Sequence, residues 1–438
     1  MSPHYSNLSK RSIIPLHPSL QNKPPKGPQE AIELPDLHNV QGDICFTFPK
    51  DAEQFAFFHI KDAAAFKKGL GSFLPTSCFA VTEILDKIDH AKQTARSCGE
   101  PISRIETKLS QIAFSPSDAE HCKGVVESIE KVTFNSSITI LHLEVGNVLP
   151  DRKEHFGYCD GISQPAIRGC TVPHPGRTVV DPGVLILGYP GDPVDVDKRP
   201  AWAKGGSMMV FRKLEQDVPG FIQNVVSHGD EWRKVIPDAN LTHEQGIAWY
   251  GARLFGRWRS GAPIQLAPIH DDPELAEDDQ RNNDFDFTIP GEPGPSDRYC
   301  PFNAHIRKTA PRNLDPYKPT REELAASSIL RAGIPYGPPV NHQQPHNPLP
   351  NVERGLLFVC YQSSIEGGFL LQTQWALDRD FPKFGDTVGG PQPGQDPILG
   401  EAPSRSSDIR PRSYVRSRGG EYFFVPSIST LKTWASAK

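Results

Sequence analysis

The segment Phe156–Pro165 presents a single carboxylate, Asp160, between Gly157 and Gly161. Glycine allows the backbone to form a strained turn or to approach a flat ligand closely. A carboxylate in such a turn is held rigidly, which suits a group that accepts and returns a proton during catalysis. Taken alone, the pattern is more typical of an ordinary Asp-Gly turn, so it needs support from other segments.

A second candidate, His305, stands among small and apolar residues in the segment 300–309 and is followed by Arg307, Lys308 and Arg312. Neutral histidine is a frequent metal ligand, and haem iron takes one as its proximal ligand. The cations that follow could pair with haem propionates, because basic side chains bind carboxylates. The alternative is a buried histidine whose ring nitrogens are satisfied by hydrogen bonds.

Two further segments carry candidate residues. Arg331 leads into a turn fixed by glycine and proline, and the alternation over 355–362 places Leu356 and Phe358 on one face of a strand. A plain core strand is the alternative for 355–362. The motifs of serine hydrolases, P-loop nucleotide-binding proteins and zinc peptidases are absent from the sequence.

Hydrophobic periodicity predicts the elements that must position these side chains. For the first part of the chain we expect a strand over 42–48 extended or paired by 55–60, helices over 62–70 and 115–130, and a strand over 138–145. The second part is predicted to contain strands over 183–189, 207–214, 355–362 and 421–425, and helices near 215–235 and 321–330. The order strand, helix, helix, strand in residues 38–150 indicates an α+β unit.

Composition excludes several classes of protein. The 438 residues carry 47 basic and 52 acidic side chains, a net charge of −5, which leaves no basic excess for binding nucleic acid. No run approaches the roughly 18 apolar residues of a membrane span. The eight cysteines are scattered without a zinc or disulfide pattern, so we expect free thiols.

Residues 1–37 are rich in proline and polar residues and lack the apolar run of a signal peptide. We expect a flexible N-terminal arm and a cytoplasmic protein. An extracellular location would require an unusual route or a longer N-terminus.

Four blocks occur together in a characteristic order and spacing. They are the Gly157–Gly161 turn followed by Ile-Ser-Gln-Pro, the block 304–309, the Ile-Pro-Tyr-Gly-Pro turn after Arg331, and the strand that begins with Arg354-Gly355-Leu356. With the acidic loop that ends at 280–286, these blocks resemble the dye-decolorizing peroxidase family, in particular its fungal branch, over about residues 38–430.

The resemblance implies an α+β fold of two ferredoxin-like halves with antiparallel sheets, residues 38–150 and 151–438. Haem would be bound chiefly by the C-terminal half. The implied cofactor is haem b, with His305 as the proximal iron ligand, Asp160 as the distal acid–base and Arg331 as the distal cation.

The resemblance assigns further residues to the cofactor site. Asp396, in the segment Asp-Pro-Ile-Leu-Gly, is implied as the partner that holds the proximal histidine. The other expected cofactor contacts are Leu356 and Phe358 over the distal haem face, and Ile162, Ser163 and Arg307. Because these side chains leave little room for a dye, bulky donors are expected to give electrons at the surface, through Tyr336 or Trp375.

The implied activity is oxidation of small organic donors by hydrogen peroxide, with dyes and phenols foremost and carotenoids or a pathway metabolite as further candidates. Two alternatives stay open: an intracellular haem enzyme that oxygenates or cleaves a secondary metabolite, and a haem-binding protein without turnover. Asp160 and Arg331 argue against the latter, because binding needs only His305 and a pocket. No nucleic-acid or membrane partner is expected, and the oligomeric state stays open.

Overall fold

The computed structural model describes residues 32–46, 51–73, 75–85, 126–127, 129–134, 137–150, 152–292, 294–340, 352–384, 393–400 and 413–437. In the first half, strand β1 (Ala52–Ile60) pairs antiparallel with strand β2 (Ile138–Asn147). Helix α1 (Ala63–Leu70) begins just after β1, where the side chain of Asp62 accepts hydrogen bonds from two backbone N–H groups of the first turn.

The second half is built on a larger antiparallel sheet. Strand β5 lies between β8 and β9, and the short strands β6 and β7 pair with β8. Their bounds are β5 Ser207–Gln216, β6 Leu330–Arg331, β7 Ile334–Tyr336, β8 Gly355–Gln362 and β9 Val415–Val425. Two short parallel strands, β3 (Ala166–Ile167) and β4 (Val179–Val180), lie outside this sheet. Antiparallel sheets combined with helices confirm the α+β class and are consistent with two ferredoxin-like halves.

Short helices connect and cover the strands of the second half. They are α2 Val218–Ser227, α3 Trp232–Val235, α4 His243–Phe255, α5 Pro273–Glu277, α6 His305–Thr309, α7 Arg321–Ala326, α8 Leu371–Leu377 and α9 Ile428–Ser436. Two of them begin with a capping box, in which a threonine and a residue three positions later satisfy each other's backbone N–H. The capping residues are Thr242 with Gln245 for α4, and Thr320 with Glu323 for α7.

The large sheet has two faces with different surroundings. On the core face, Phe211 packs against Phe55 and Phe57 of β1, so both halves contribute to one hydrophobic core. On the opposite face, here called the site face, Arg212 of β5 lies directly across from Phe358 of β8. Since side chains alternate along a strand, Leu356 also projects from the site face.

Two of the predicted strands are wrong. Gly42–Ile44, at the start of the expected strand 42–48, form a 3₁₀-helix. The expected strand 183–189 begins as a 3₁₀-helix at Pro182–Val184, and the N–H of Ile186 bonds back to the carbonyl of Pro182. Both segments are short apolar runs, and their backbone groups form hydrogen bonds within local turns. Periodicity cannot distinguish such runs from strands.

The remaining predicted elements are mostly confirmed. Strands at 138–145, 207–214, 355–362 and 421–425 are present, as are helices at 62–70, near 215–235 and near 321–330. Most of the predicted helix 115–130 and most of the predicted arm lie outside the described residues, and the proposed boundary at residue 150 stays a prediction. Within the described part of the chain, no helix has the length and apolar character needed to cross a membrane.

Candidate active site

Asp160 stands on a sharply turned loop. Gly157 and Gly161 have φ angles of 91° and 77°, in the left-handed region that glycine adopts without steric penalty. The Asp160 carboxylate accepts hydrogen bonds from the Gly161 N–H at 2.6 Å and from Arg331 Nη1 at 2.5 Å. The side chains of Asp160 and Arg331 are 42% and 30% exposed. The structure therefore brings the two predicted distal residues into direct contact at an accessible position.

Opposing effects act on the pKa of Asp160. Burial raises the pKa, whereas the positive charge and hydrogen bond of Arg331 and the N–H of Gly161 lower it, and the lowering prevails. The charge of His305 also contributes to the lowering, so this imidazole lies within electrostatic reach. Asp160 is consequently ionised at pH values where an ordinary aspartate is already protonated, and it is a competent proton acceptor.

A second carboxylate, Glu154, organises the loop that leads to Asp160. Its two oxygens accept hydrogen bonds from the backbone N–H groups of Phe156 and Tyr158, each at 2.9 Å, and the side-chain amide of Gln216 donates to it at 2.6 Å. Burial raises the pKa of Glu154 to about 7, although these three hydrogen bonds lower it. Glu154 therefore fixes the loop that leads to Asp160 without belonging to the accessible site.

The side chain of Gln164 fixes Arg331 relative to the same loop. Its amide nitrogen donates to the backbone carbonyl of Arg331 at 2.8 Å, and its amide oxygen accepts from the Arg331 N–H at 3.1 Å. Arg331 Nη2 also donates to the carbonyl of Ser163 at 3.3 Å. The separation between Asp160 and Arg331 is thus set by backbone contacts as well as by their own ion pair.

We expect Gln164→Leu to slow the reaction with peroxide about tenfold while haem stays bound. The variant removes two hydrogen bonds, each worth about 1 kcal/mol net, and leaves the backbone of Arg331 free to shift. Stopped-flow absorbance after peroxide addition measures the rate. Gln372→Leu, which removes one side-chain bond to the Ser327 carbonyl, is the control. Equal rates for the two variants would contradict a positioning role for Gln164.

On the other side of the site, His305 is the first residue of helix α6. Its Nδ1 lies 2.7 Å from Oδ2 of Asp396, the contact that the sequence predicted. Asp396 is fully buried, and its Oδ1 accepts hydrogen bonds from the backbone N–H groups of Ile398 and Leu399 at 2.8 and 3.2 Å. Burial lowers the pKa of His305, but the charge and hydrogen bond of Asp396 raise it, with a net rise. Asp396 therefore fixes the ring orientation and directs Nε2 away from itself.

These residues fit a haem group. Among the described residues, none forms a hydrogen bond with Nε2 of His305, whose side chain is 27% exposed. Asp160 and Arg331 both act on the pKa of His305, which places the distal pair within electrostatic reach of the imidazole. Leu356 and Phe358 are only partly buried on the site face and supply apolar surface. An accessible imidazole nitrogen, apolar walls and a polar pair are the donor set that a haem peroxidase requires.

One predicted cofactor contact is not supported. Arg307 is fully buried, with its guanidinium stacked on Phe287 and Phe302 and donating to the carbonyls of Ser296 and Cys300. It therefore stabilises the base of α6, and its complete burial leaves no accessible side for a propionate. A basic residue close to a predicted ligand in the sequence need not point toward the same cofactor, because a short helix turns consecutive side chains in different directions.

The other predicted contacts, Ile162 and Ser163, lie on the Asp160 loop, where Arg312 and Asn283 hold them. Arg312 donates to Ser163 Oγ at 3.1 Å, and the amide of Asn283 donates to the Ile162 carbonyl at 3.3 Å. Arg312 also donates to the side-chain oxygen of Asn283 at 3.0 Å. The only signal in the sequence was the position of Asn283 in the acidic loop and of Arg312 shortly after His305.

Tyr336 and Trp375 are more enclosed than the sequence suggested. Tyr336 is 6% exposed, and its hydroxyl donates to a carboxylate oxygen of Glu353 at 3.2 Å. Trp375 is 7% exposed and stacks on Phe381 with ring centroids 4.9 Å apart. A glycine- and proline-fixed segment can form a buried strand as readily as a surface loop, and residues 334–336 do so here by pairing with β8.

Known proteins are similar to this chain in sequence and in fold. Residues 39–140 match the family model described as the DyP dimeric alpha+beta barrel domain. The dye-decolorizing peroxidase of Mycena epipterygia is 36% identical, and the match covers 92% of this chain and 87% of that protein. A solved ancestral D-type dye-decolorizing peroxidase is 36% identical with a TM-score of 0.77, covering 93% of this chain and all of that chain. A dye-decolorizing peroxidase solved in complex with 2,6-dimethoxyphenol is 33% identical with a TM-score of 0.73, covering 92% and 100%.

Identity of this extent over nearly the whole length of the relatives, together with the shared fold, establishes the family. Haem is accordingly expected as the cofactor. The chain belongs to the dye-decolorizing peroxidases.

Proposed function

We propose that the protein uses haem b and hydrogen peroxide to oxidise bulky organic donors such as dyes and phenols, with Asp160 as the acid–base. The observation that carries this proposal is the contact between Asp160 and Arg331, which lie within electrostatic reach of an imidazole held by Asp396. The relative solved with 2,6-dimethoxyphenol supports a phenolic donor. Arg331 lies across from Cys360, which is two positions from Phe358 on β8, so apolar side chains of the site face flank the polar pair.

Each residue of the site would have a separate role in the reaction with peroxide. Bound haem would supply the iron on which peroxide is reduced and the oxidising equivalents that donors consume. Ionised Asp160 would take a proton from one oxygen of hydrogen peroxide and return it to the departing oxygen, acting as base and then as acid. Arg331 stabilises the negative charge that develops as the O–O bond breaks. His305 would hold the iron through Nε2, and the carboxylate of Asp396 would increase the electron donation of its imidazole.

Reconstitution with haem followed by one equivalent of peroxide tests this function. We expect a Soret band in the reconstituted protein, a rapid spectral change on addition of peroxide, and recovery of the starting spectrum when 2,6-dimethoxyphenol or an anthraquinone dye is added. A Soret band with no response to peroxide would indicate haem binding without turnover. Incorporation of labelled oxygen into the organic product would indicate an oxygenase instead.

The pH dependence follows from the lowered pKa of Asp160. We expect dye oxidation to be fastest at about pH 3 to 5, because an aspartate (ordinary pKa about 3.9) stays ionised where a histidine (about 6.5) is protonated. Arg331 is the main cause of the lowering, so in Arg331→Leu the pKa of Asp160 should rise. The loss of activity on acidification should then begin at a higher pH than in the parent.

Steady-state rates from pH 2.5 to 8 measure this shift, and Arg168→Leu is the control. Arg168 also pairs with an aspartate, Asp181, at 2.8 Å, and its side chain is 44% exposed. If activity were lost at the same acidic pH in Arg331→Leu and in the parent, Arg331 would not be the cause of the lowered pKa of Asp160. A rate maximum above pH 7 for every donor would contradict Asp160 as the proton acceptor.

A further inference from the structure

The segment that carries Asp396, the partner of His305, lies along the C-terminal end of helix α8. The backbone N–H of Asp396 donates to the Ala376 carbonyl at 2.8 Å. The side-chain amide of Gln395 donates to the Leu377 carbonyl at 2.7 Å. The position of the Asp396 carboxylate relative to His305 therefore depends on where the end of α8 lies.

The same end of α8 is also bound by Lys308 of helix α6. Its ammonium donates to the backbone carbonyl of Asp378, the C-cap residue of α8, at 2.6 Å and to that of Phe381 at 2.5 Å. Carbonyls at a helix C-terminus lack partners within the helix and carry partial negative charge, so a cation stabilises them. Lys308 Nζ also lies 5.4 Å from the ring centroid of Phe381, which stacks on Trp375 of α8. Lys308 thus anchors the end of α8 through backbone and ring contacts.

Lys308 is a fully buried lysine whose two hydrogen-bond acceptors are backbone carbonyls. Lysine is almost never fully buried unless it is paired, because its charge is costly to remove from water. Burial lowers the pKa of Lys308 to about 8, whereas the charges of Asp378 and Asp396 raise it. The ammonium is therefore within electrostatic reach of Asp396 and is charged at the acidic pH proposed for dye oxidation. An apolar side chain would avoid the cost of burial, so the contacts with α8 point to a specific role for this charge.

The contacts of His305, Asp396 and Lys308 close on themselves. His305 and Lys308 lie three positions apart on α6, so their side chains leave neighbouring parts of one helix. His305 binds the Asp396 side chain, and the backbone of Asp396 binds Ala376 of α8. Lys308 then joins the end of α8 back to α6 at Asp378. In this series, here called the α6–α8 contact cycle, the relative position of His305 and Asp396 is fixed from both ends.

We propose that Lys308 is a positioning residue for the proximal imidazole, and that by closing the α6–α8 contact cycle it sets the length and direction of the hydrogen bond between His305 Nδ1 and Asp396. The carboxylate orients the imidazole and increases its electron donation, so a longer hydrogen bond weakens the donation to iron. Lys308 acts through α8 and Asp396, since it is itself enclosed by protein. The inference rests on the proposed peroxidase function and adds a residue on the side of His305.

Lys308→Met tests the proposal, because it removes the ammonium and nearly keeps the length of the side chain. We expect haem to stay bound and the iron–histidine stretching band in the resonance Raman spectrum of the reduced protein to move to lower frequency. This shift reports weaker donation by the imidazole and does not depend on turnover. The rate of the reaction with peroxide should fall about tenfold, the lower end of the usual contribution of groups that support a metal-ligating histidine.

Lys213→Met is the matched control, since it makes the same substitution at another enclosed lysine outside the candidate site. Nζ of Lys213 lies 4.9 Å from the ring centroid of Tyr336 and pairs with Glu144 at 2.9 Å. The iron–histidine band and the peroxide rate of Lys213→Met should equal those of the parent. A band at the parent frequency in Lys308→Met would overturn the proposal.

Gln395→Leu decides the question where Lys308→Met yields no folded protein. It removes the Gln395 contact with α8 and leaves both Lys308 and the Asp396 carboxylate in place. We expect a smaller shift of the iron–histidine band in the same direction, and an unshifted band would overturn the proposal. A parent protein that binds haem but does not react with peroxide would overturn the proposed function, whereas the band shift would still establish the role of Lys308 toward His305.

Discussion

Asp160→Asn is expected to bind haem normally and to react with peroxide about 10²- to 10⁴-fold more slowly than the parent, the usual contribution of a general acid–base. The amide matches the carboxylate in shape and can still accept a hydrogen bond from Arg331. It cannot take up a proton from peroxide at any pH in the working range. The structure makes this a clean substitution, because the side chain is 42% exposed and its removal leaves no buried group without a partner.

The measurement is the second-order rate constant of the spectral change after peroxide addition. Asp181→Asn is a closely matched control, since Asp181 is 40% exposed and also accepts a hydrogen bond from an arginine, Arg168, at 2.8 Å. It should react at the rate of the parent. A rate for Asp160→Asn within about threefold of the parent would show that another group moves the proton, because that is far below the effect of a general acid–base.

His305→Ala has the second large expected effect, loss or severe weakening of haem binding. The variant removes the imidazole that Asp396 orients, and it leaves the buried carboxylate of Asp396 without its histidine partner. We expect little or no Soret absorbance after reconstitution and a low ratio of haem to protein. Added imidazole should restore part of the band, because it can occupy the volume of the missing side chain and bind Asp396.

His228→Ala serves as the control for this experiment. His228 stacks on Tyr250 with ring centroids 4.8 Å apart, at the end of α2, and makes no contact with the residues of the candidate site. Its removal should leave haem content and the Soret band unchanged. An unaltered spectrum in His305→Ala would reject His305 as the iron ligand, whatever the activity of that variant.

Local sequence predicted the turn at Asp160, but not the contact of that turn with Arg331. The glycine pair around Asp160 indicated a strained turn, and the positive φ angles of Gly157 and Gly161 confirm that turn. Contact between Asp160 and Arg331 spans 171 positions. Only the resemblance to a family could place these two residues together, because no local pattern relates positions so far apart in the chain.

Residues that position the site through hydrogen bonds to the backbone could not be recognised from a pattern in the sequence. Gln164 binds both backbone groups of Arg331, and Glu154 binds two backbone N–H groups of its own loop. Such contacts depend on the path of the chain, so residue type alone does not reveal them. The opposite error affected Arg307, whose charge and position near His305 indicated a cofactor contact. Its stacking between aromatic rings depends on tertiary packing that the sequence does not encode locally.

The turn 154–161 carries two carboxylates whose affinities for protons are shifted in opposite directions. Glu154 has its pKa raised to about 7 by burial, whereas the pKa of Asp160 is lowered, chiefly by Arg331 acting against burial. In mildly acidic solution the folded loop therefore holds a proton on Glu154 and none on Asp160. The unfolded chain would have both groups ionised there, so folding takes up a proton at Glu154 between its unfolded pKa of about 4.5 and about 7. The contribution of Glu154 to the free energy of unfolding therefore falls as the pH rises from about 4.5 to about 7. The two carboxylates thus make the turn 154–161 more stable in acidic solution, where Asp160 is still ionised and can accept a proton.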